Sequence, residues 1–460
     1  MKKLKRYFGD RRFYKNVILI TLPIMIQSGI TNAVNMLDNL MIGSLGTEAI
    51  SGVSIVNQLL FIFSMVIFGA NAAVGIFTSQ YHGAGDSENV KYTFRMKLMI
   101  NFAIAAITVL TLLAFETGAI SLFLHETDSS TDLASTFEYG KIYLRIMLVG
   151  LVPYAISQTY ASTLRECGDV KLPMYAGVFA IISNVVLNAI LIFGLFGFPA
   201  LGVAGAAIAT VVSRFIEFTV IILFAHTHKQ KYRFLSGVYR SFKIPSLLAK
   251  RIIVRGFPLL FNELIWSLAM TLKNQCISTA GIDAVAAMNI QTTITNVLNI
   301  AYLAQGSAIA IILGNMLGAG KEKEAKEDSV KLLTFAALSG VAMGVLQILI
   351  SPFVPRLYNT SIEVKELATY MMIVTAICMV ASSLAVATYY TLRSGGLAML
   401  TFLFDCGYAW VITVPVALIL AYGVGADIKV LFFAVTLAEC SKCLLGLLLT
   451  SKVNWARKIT

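Results

Sequence analysis

The chain has 460 residues, of which 58% are hydrophobic and 13% charged, and its mean hydropathy is +0.79. A soluble domain carries about 45–50% apolar and about 25% charged residues, so this composition excludes an ordinary soluble globular protein. The formal net charge of +12 is compatible with nucleic-acid binding, but apolar runs that recur from Val17 to Thr450 predict a membrane-integral protein instead.

The N-terminal segment is basic from Met1 to Lys15 and leads into an apolar stretch that continues to about Ile42. This stretch is too long for the apolar region of a cleaved signal peptide. We therefore expect the first helix to remain as a membrane span. The cysteines fall mostly inside apolar runs, so no disulfide framework is expected.

The apolar runs predict twelve spans, with boundaries that are accurate to a few residues. Those of the first half are 16–42, 51–80, 93–120, 140–164, 173–195 and 202–225, and those of the second half are 252–279, 285–316, 330–354, 366–391, 398–422 and 428–451. Short loops predict that neighbouring helices pack antiparallel. The long polar stretch between the halves predicts three parts, an N-terminal lobe (1–225), a cytoplasmic linker (226–250) and a C-terminal lobe (251–460).

Basic residues concentrate in every second connection between the spans. They lie in the segments Lys2–Lys15, Lys91–Lys97, Lys229–Arg255, Lys321–Lys331 and Lys452–Lys458. The alternate connections Gly43–Ala49 and Leu195–Gly202 carry none. Because cytoplasmic loops are enriched in Lys and Arg, this alternation predicts a multi-pass protein of the inner (cytoplasmic) membrane with both termini and the linker in the cytoplasm.

The two halves contain an internal repeat. Leu22-Pro23, Gly46–Ala49 and Gly83–Gly85 match Phe257-Pro258, Gly281–Ala284 and Gly318–Gly320 at a constant spacing (258 − 23 = 235). A fourth match, Leu164-Arg165 with Leu392-Arg393, has a spacing of 228 (392 − 164). Equivalent helices start on the same membrane side, so the repeat is parallel. The sequence thus predicts an all-α membrane protein of two six-helix lobes, an architecture typical of alternating-access transporters.

Several segments carry a family resemblance. They are Leu164–Met174 (LRECGDVKLPM), Asn184–Asn188 (NVVLN), Pro199–Thr210 (PALGVAGAAIAT), Asp38–Gly43 (DNLMIG) and Leu392–Gly396 (LRSGG). They resemble the multidrug and toxic compound extrusion family, within the superfamily that also contains lipid-linked oligosaccharide and polysaccharide flippases. The resemblance spans both halves. It implies export of organic cations in exchange for protons or Na⁺, without a cofactor.

The sequence departs from this family at the acidic positions. One branch of the family carries a second Asp where this chain has Asn188, and another combines a Glu in the seventh helix with an Asp in the tenth. Glu263 matches that Glu, but residues 366–391 contain no Asp, and the nearest C-terminal carboxylate is Asp405 in the eleventh span. The resemblance therefore leaves the coupling ion open between H⁺ and Na⁺.

Asp38 is the first candidate for ion coupling. Ionisable groups inside membrane spans are costly and usually face a cavity or a partner. Asn35 lies one turn before Asp38, and Asn184 and Asn188 share one face of the fifth span because they are four residues apart. We predict that Asp38 exchanges a proton for a cationic substrate and that the asparagines contact substrate. The alternative is a structural acid and amides that only join helices.

The C-terminal half offers Glu263 and Asp405 as further ion-coupling candidates. Glu263 lies one turn after Pro258, and a proline in a membrane helix frees backbone carbonyls and permits bending. An intramembrane ion pair is the alternative role for Glu263. Lys273 occupies the repeat position of Asp38 (38 + 235) and is a candidate substrate-contacting residue or a counter-charge within its own lobe.

No enzymatic site is visible. Cys440 and Cys443 lie in the last apolar span without a second pair, and Gly318–Lys321 lacks the remainder of a phosphate-binding loop. We therefore predict a secondary antiporter rather than an enzyme, with small organic molecules and the bilayer as partners and no nucleic acid. A monomer suffices for this mechanism. The alternative is a flippase or exporter for a lipid-linked or other non-drug metabolite.

Overall fold

The computed structural model describes residues 7–121 and 133–460. The first six residues of the predicted cytoplasmic N-terminal segment lie outside this range. The described chain is helical and contains no strand. Its α-helices, of which only α4 is short, are α1 (Arg11–Gly43), α2 (Thr47–Gly83), α3 (Ser87–Ala114), α4 (Glu116–Ser121), α5 (Leu133–Val149), α6 (Leu151–Glu166), α7 (Lys171–Phe193), α8 (Gly202–Thr227), α9 (Ser246–Ser278), α10 (Ile282–Gly318), α11 (Glu322–Ile350), α12 (Ile362–Ser394), α13 (Ala398–Val424) and α14 (Ile428–Lys452).

The helices confirm the predicted twelve spans among the described residues. Eleven are each long and apolar enough to cross a membrane, and α5 and α6 together form the twelfth, with a bend of 49°. The predicted fourth span, 140–164, is therefore two helices that meet at Gly150. Pro153 in the first turn of α6 has no N–H to donate, which disfavours a continuous helix through this point. The third span ends at Ala114 rather than near 120.

The backbone repeats with the spacing seen in the sequence. Helices α1 and α9 both have 33 residues, α2 and α10 both have 37, and each pair begins 235 positions apart (246 − 11 and 282 − 47). The turns repeat too, because Gly85 and Gly320 have φ angles of 75° and 76°. Only glycine adopts this left-handed region without steric cost. The repeat thus extends from sequence to backbone conformation.

The described chain forms two compact units. The N-terminal unit comprises Ile26–Thr78 and Asp86–Ile252, and the C-terminal unit comprises α1 up to Met25, Ser79–Gly85 and Ile253–Thr460. Each has its own apolar core, centred on residues such as Val56 and Leu144 in the first and Leu313 and Met371 in the second. The predicted lobe boundaries stay a prediction.

The segment after α8 packs against the N-terminal unit. Residues 233–235 and 238–240 form single turns of 3₁₀-helix, and Phe234, Leu235 and Val238 are buried. The guanidinium of Arg95 in α3 donates to the carbonyls of Val238 (2.8 Å), Gly237 (3.1 Å) and Lys243 (3.3 Å). The polar stretch that the sequence marks as a linker is therefore an ordered part of this unit.

A second attachment of the linker lies before α7. Asp169 forms an ion pair with Lys231 and accepts a hydrogen bond from the Tyr232 hydroxyl at 2.6 Å. Burial raises the pKa of Asp169, but hydrogen bonds from Lys231, Tyr232 and the Leu172 N–H outweigh this effect and hold its pKa below the ordinary value. The ionised carboxylate therefore holds the linker against the start of α7.

The ends of α2 and α10 cross closely within the C-terminal unit. A Cβ atom on Gly83 would overlap the backbone of Asn315, and a Cβ on Gly318 would overlap the backbone of Gln80. Gln80 and Asn315 are themselves repeat-equivalent (315 − 80 = 235). The crossing thus brings the same position of each repeat into reciprocal contact, and only glycine fits there.

Candidate functional site

The first polar cluster surrounds Asp38 in the N-terminal unit. Asp38 is half-buried on α1, and Asn184 and Asn188 face it from α7, where both are buried. The Asn188 side-chain amide donates to Asp38 Oδ1 at 2.6 Å. With its amide nitrogen facing the carboxylate, Asn184 donates to Asp38 Oδ2 at 3.0 Å. The four-residue spacing of the asparagines lets both amides reach one carboxylate.

Neutral groups continue this cluster. Asn184 lies 3.3 Å from the hydroxyl of Thr210 on α8, and Tyr143 on α5 lies 3.5 Å from Asn57 on α2 through its own hydroxyl. Asn35, predicted to contact substrate, is exposed on α1 one turn before Asp38. In the part of the chain that the structure describes, its side chain makes no hydrogen bond to the cluster, so its role stays a prediction.

Two other partly buried carboxylates of the N-terminal unit have basic partners. Glu166 forms an ion pair of 2.5 Å with Lys97, whose side chain is 0% exposed. Glu217 on α8 faces the charges of Arg165 and Arg214. Across residues 7–121 and 133–460, no basic side chain forms an ion pair with Asp38. Asp38 therefore differs from these acids because only neutral donors hold it.

The second polar cluster lies in the C-terminal unit around Asp405. Residues 403–407 of α13 form a π-helical turn, which widens the helix and is frequent at functional sites. Asp405 forms an ion pair with Lys442 on α14. Its other oxygen accepts a hydrogen bond from the Asn262 amide on α9 at 2.8 Å. Here, unlike at Asp38, a lysine neutralises the carboxylate.

Glu263 belongs to the same cluster. It faces the charges of Asp405 and Arg393 and lies near Tyr389, whose hydroxyl accepts a hydrogen bond from Asn262 at 3.3 Å. The structure thus brings the predicted residues Glu263 and Asp405 together. Lys273 is elsewhere on α9 and pairs with Glu439 at 2.9 Å. It counters a carboxylate of its own unit, which was one of its two predicted roles.

Sequence reasoning missed Lys442, Asn262 and Tyr389 as members of this cluster. Lys442 reaches across from α14 to Asp405 on another helix. The repeat contained a signal for it, because Arg214 and Lys442 have the same spacing as Arg165 and Arg393 (442 − 214 = 228 = 393 − 165). No comparable signal marked Asn262 or Tyr389, since both lie in apolar surroundings and carry no charge.

Comparison with known proteins identifies the family. A family model described as MatE matches residues 23–190 and 258–422, two segments that begin 235 positions apart and together cover more than half of the chain. The chain belongs to the MatE family. MatE proteins are transporters and not enzymes, so both the predicted resemblance and the predicted absence of enzymatic activity are confirmed. The chain is a multi-pass membrane transporter of the multidrug efflux type.

Curated relatives match most of this MatE chain. It is 23% identical over 413 residues to the probable multidrug resistance protein YoeA of Bacillus subtilis, a match that covers 89% of this chain and 87% of that protein. It is 26% identical over 418 residues to the probable multidrug resistance protein NorM of Halalkalibacterium halodurans, with 88% and 87% covered.

Solved MATE structures match the fold. A MATE transporter in the bent conformation aligns with a TM-score of 0.86 at 20% identity, over 99% of this chain and 98% of that chain. The Vibrio cholerae MATE transporter VcmN in its bent form aligns with a TM-score of 0.84 at 18% identity, over 96% and 97%. At these identities the likeness shows the fold alone, and it confirms the predicted two-lobe, all-α architecture.

Proposed function

We propose that this MatE transporter exports amphipathic organic cations in exchange for protons or Na⁺, and that Asp38 is the exchange site. One observation carries the proposal. Asp38 is a carboxylate inside a span that is held by the amides of Asn184 and Asn188 and forms no ion pair among the described residues. A charged group inside a membrane needs a partner. A carboxylate without an internal cation is free to take one from solution.

The amides support exchange because they do not compete for the charge. An Asn side chain donates to an ionised carboxylate and stabilises it, yet leaves lone pairs of the same oxygens open to a cation. A coupling ion and a cationic substrate would then compete for one negative charge. Binding of either releases the other, which couples the two flows when the site opens alternately to each side of the membrane.

The names of the relatives support the substrate class. Several curated relatives are called probable multidrug resistance proteins, which fits compounds of varied structure. The chain contains 28 Phe, 18 Tyr and 17 Met residues. Flexible and aromatic side chains allow one surface to accommodate different apolar groups. Organic cations with apolar bodies combine both requirements, an apolar wall and a carboxylate.

The setting of the proposed activity follows from the charge pattern. We place the protein in the cytoplasmic membrane with both termini in the cytoplasm, because the basic segments alternate with uncharged connections. The transporter works as a monomer by rocker-switch alternating access and needs no cofactor besides the coupling ion.

Transport in proteoliposomes tests the proposal. A fluorescent organic cation is loaded, and either a proton or a Na⁺ gradient is imposed on wild type and on Asp38→Asn. We expect one gradient to drive dye movement in wild type and neither to do so in the variant. Asp283→Asn is the matched control, since Asp283 is an exposed acid in the first turn of α10. It should transport like wild type.

Two results would contradict the proposal. Dye movement that is unchanged in Asp38→Asn would remove Asp38 from the coupling path. A wild-type protein that moves no organic cation under either gradient would argue against drug-type efflux, and lipid-linked or other anionic compounds would then be assayed in the same vesicles as the alternative cargo.

A further inference from the structure

Lys442 reaches a carboxylate on a neighbouring helix inside the membrane. Its ammonium pairs with Asp405, and both side chains are largely buried, with exposed fractions of 15% and 14%. The same ammonium lies 5.1 Å from the centre of the Phe404 ring. A lysine on α14 thus fills a partly closed polar site on α13 rather than extending to the membrane surface.

The groups next to this ammonium belong to one polar cluster. Asp405 contacts it with one carboxylate oxygen, and the Asn262 amide donates to the other oxygen of that carboxylate and to the Tyr389 hydroxyl. Glu263 adds a second carboxylate that faces Asp405. Carboxylate, carbonyl and hydroxyl oxygens are the ligands of small hard cations. Lysine carries its charge as a compact, strongly hydrated ammonium, so it resembles a free monovalent cation more than an arginine does.

Charge balance makes this ammonium necessary. With Lys442 and Arg393 present, the two carboxylates of the cluster face two basic groups. Without Lys442, Asp405 would lose its directly paired cation, and an uncompensated charge in a buried site is strongly unfavourable. The cluster would then take up a proton or bind a cation from solution.

The N-terminal unit offers a comparison for Lys442. Arg214 in the N-terminal unit precedes Lys442 by the spacing that separates Arg165 from Arg393 (442 − 214 = 228), and it stacks over the Tyr154 ring at 5.1 Å and faces Glu217. The last long helix of each unit therefore carries a cation in its middle part. Only the C-terminal unit combines a lysine there with a directly paired carboxylate on another helix.

We propose that Lys442 is a tethered monovalent cation that occupies an ion site centred on the Asp405 carboxylate, in the cluster that also holds Glu263 and Tyr389, and so makes this unit independent of Na⁺. Removal of the ammonium opens the site to Na⁺. Lys442 thereby determines which ions the C-terminal unit responds to. This inference goes beyond the proposed function and does not depend on Asp38.

Direct Na⁺ binding tests the inference. Radioactive ²²Na⁺ binding and thermal midpoints are measured on the purified full chain at constant ionic strength, with choline as the replacing cation. Every protein carries Asp38→Asn, so that Na⁺ at Asp38 does not contribute. Four proteins are compared in this background: one without a further substitution, one with Lys442→Met, one with Lys442→Arg, and one with both Lys442→Met and Asp405→Asn.

We expect saturable Na⁺ binding in Lys442→Met alone. Methionine keeps the length of the side chain and removes the charge, arginine restores a charge, and Asp405→Asn removes the ligand that the ion would need. NaCl should raise the thermal midpoint of Lys442→Met only. At a Na⁺ concentration of about 100 times the Kd, mass action raises its ratio of folded to unfolded protein about 100-fold.

Three results would overturn the inference. The first is saturable Na⁺ binding with Lys442 intact that Asp405→Asn abolishes. The second is a folded Lys442→Met protein that binds no Na⁺. The third is a Lys442→Met protein that is unfolded in choline buffer and that NaCl during purification does not restore to the folded state. A purely structural ion pair predicts no Na⁺-specific response, and transport by Asp38 variants does not affect any of these readouts.

Discussion

Replacing Glu166 by Gln removes one partner of a buried ion pair in the N-terminal unit. The Lys97 ammonium is 0% exposed and lies 2.5 Å from the Glu166 carboxylate, which is 15% exposed. Ser162 and Thr163 hydroxyls lie 3.2 and 3.4 Å from the ammonium. After the substitution these hydroxyls remain, but the buried ammonium of Lys97 loses the carboxylate of Glu166.

The size of the effect follows from the cost of an uncompensated buried charge. Removing one partner of a buried pair costs about 3–5 kcal/mol, whereas replacing both partners is often close to neutral. We expect Glu166→Gln to approach this range, and Lys97→Met to cost less because the remaining carboxylate is partly exposed. The double variant should be more stable than Glu166→Gln alone. The stability loss of the double variant minus the sum of the losses of the two single variants gives the coupling energy of the pair.

Thermal unfolding in detergent, reported by a thiol-reactive dye, measures this order. The free cysteines Cys276, Cys406, Cys440 and Cys443 are buried and become reactive on unfolding. The matched control is the pair of Lys91 and Glu88, whose carboxylate is 58% exposed and for which Glu88→Gln should change stability by less than about 1 kcal/mol. A Glu166→Gln protein that melts with wild type, or a double variant less stable than both singles, would refute the reasoning.

Three further predictions concern other parts of the chain. Gly318→Ala should abolish folded protein in a detergent-solubilised sample, because its Cβ would overlap the Gln80 backbone, whereas Gly29→Ala, with no atom within 4 Å, should be tolerated. Trypsin should cut the linker faster in Asp169→Asn than in wild type. In wild type, the low pKa of Asp169 and the raised pKa of Lys231 keep the linker docked from about pH 5 to 9. Cleavage should become faster as the pH falls through the folded-state pKa of Asp169 or rises through that of Lys231. Asn188→Leu should slow dye transport by about 10- to 100-fold without abolishing it, because a hydrogen bond to a charged group contributes about 1.5–3 kcal/mol, and unchanged initial rates in proteoliposomes would contradict this.

The features that the sequence revealed are those with a local and repeated cause. The length of an apolar run decides whether a helix can cross the bilayer, so the twelve spans were predictable. The spacing of 235 between Pro23 and Pro258 predicted equivalent helices, and α1 and α9 indeed begin and end with that spacing. The four-residue spacing of Asn184 and Asn188 indicated a shared face, although not that both amides reach Asp38.

The features that the sequence did not reveal depend on contacts between distant segments. The bend at Gly150 is not visible in hydropathy, because both sides of it are apolar. The linker was expected to be only a polar connection, but Arg95 on α3 and Asp169 before α7 hold it in place. The role of Lys442 was not predicted, because its partner, Asp405, lies on another helix.

Competition binding tests the central claim most directly. The affinity of a fluorescent organic cation is titrated against protons and against Na⁺ in wild type and in Asp38→Asn, with Asp283→Asn as control. The account predicts that one of these ions raises the apparent Kd of the dye in proportion to its concentration in wild type and in the control, and that this dependence disappears in Asp38→Asn. An ion dependence that persists unchanged in Asp38→Asn would contradict the claim that Asp38 carries the exchange.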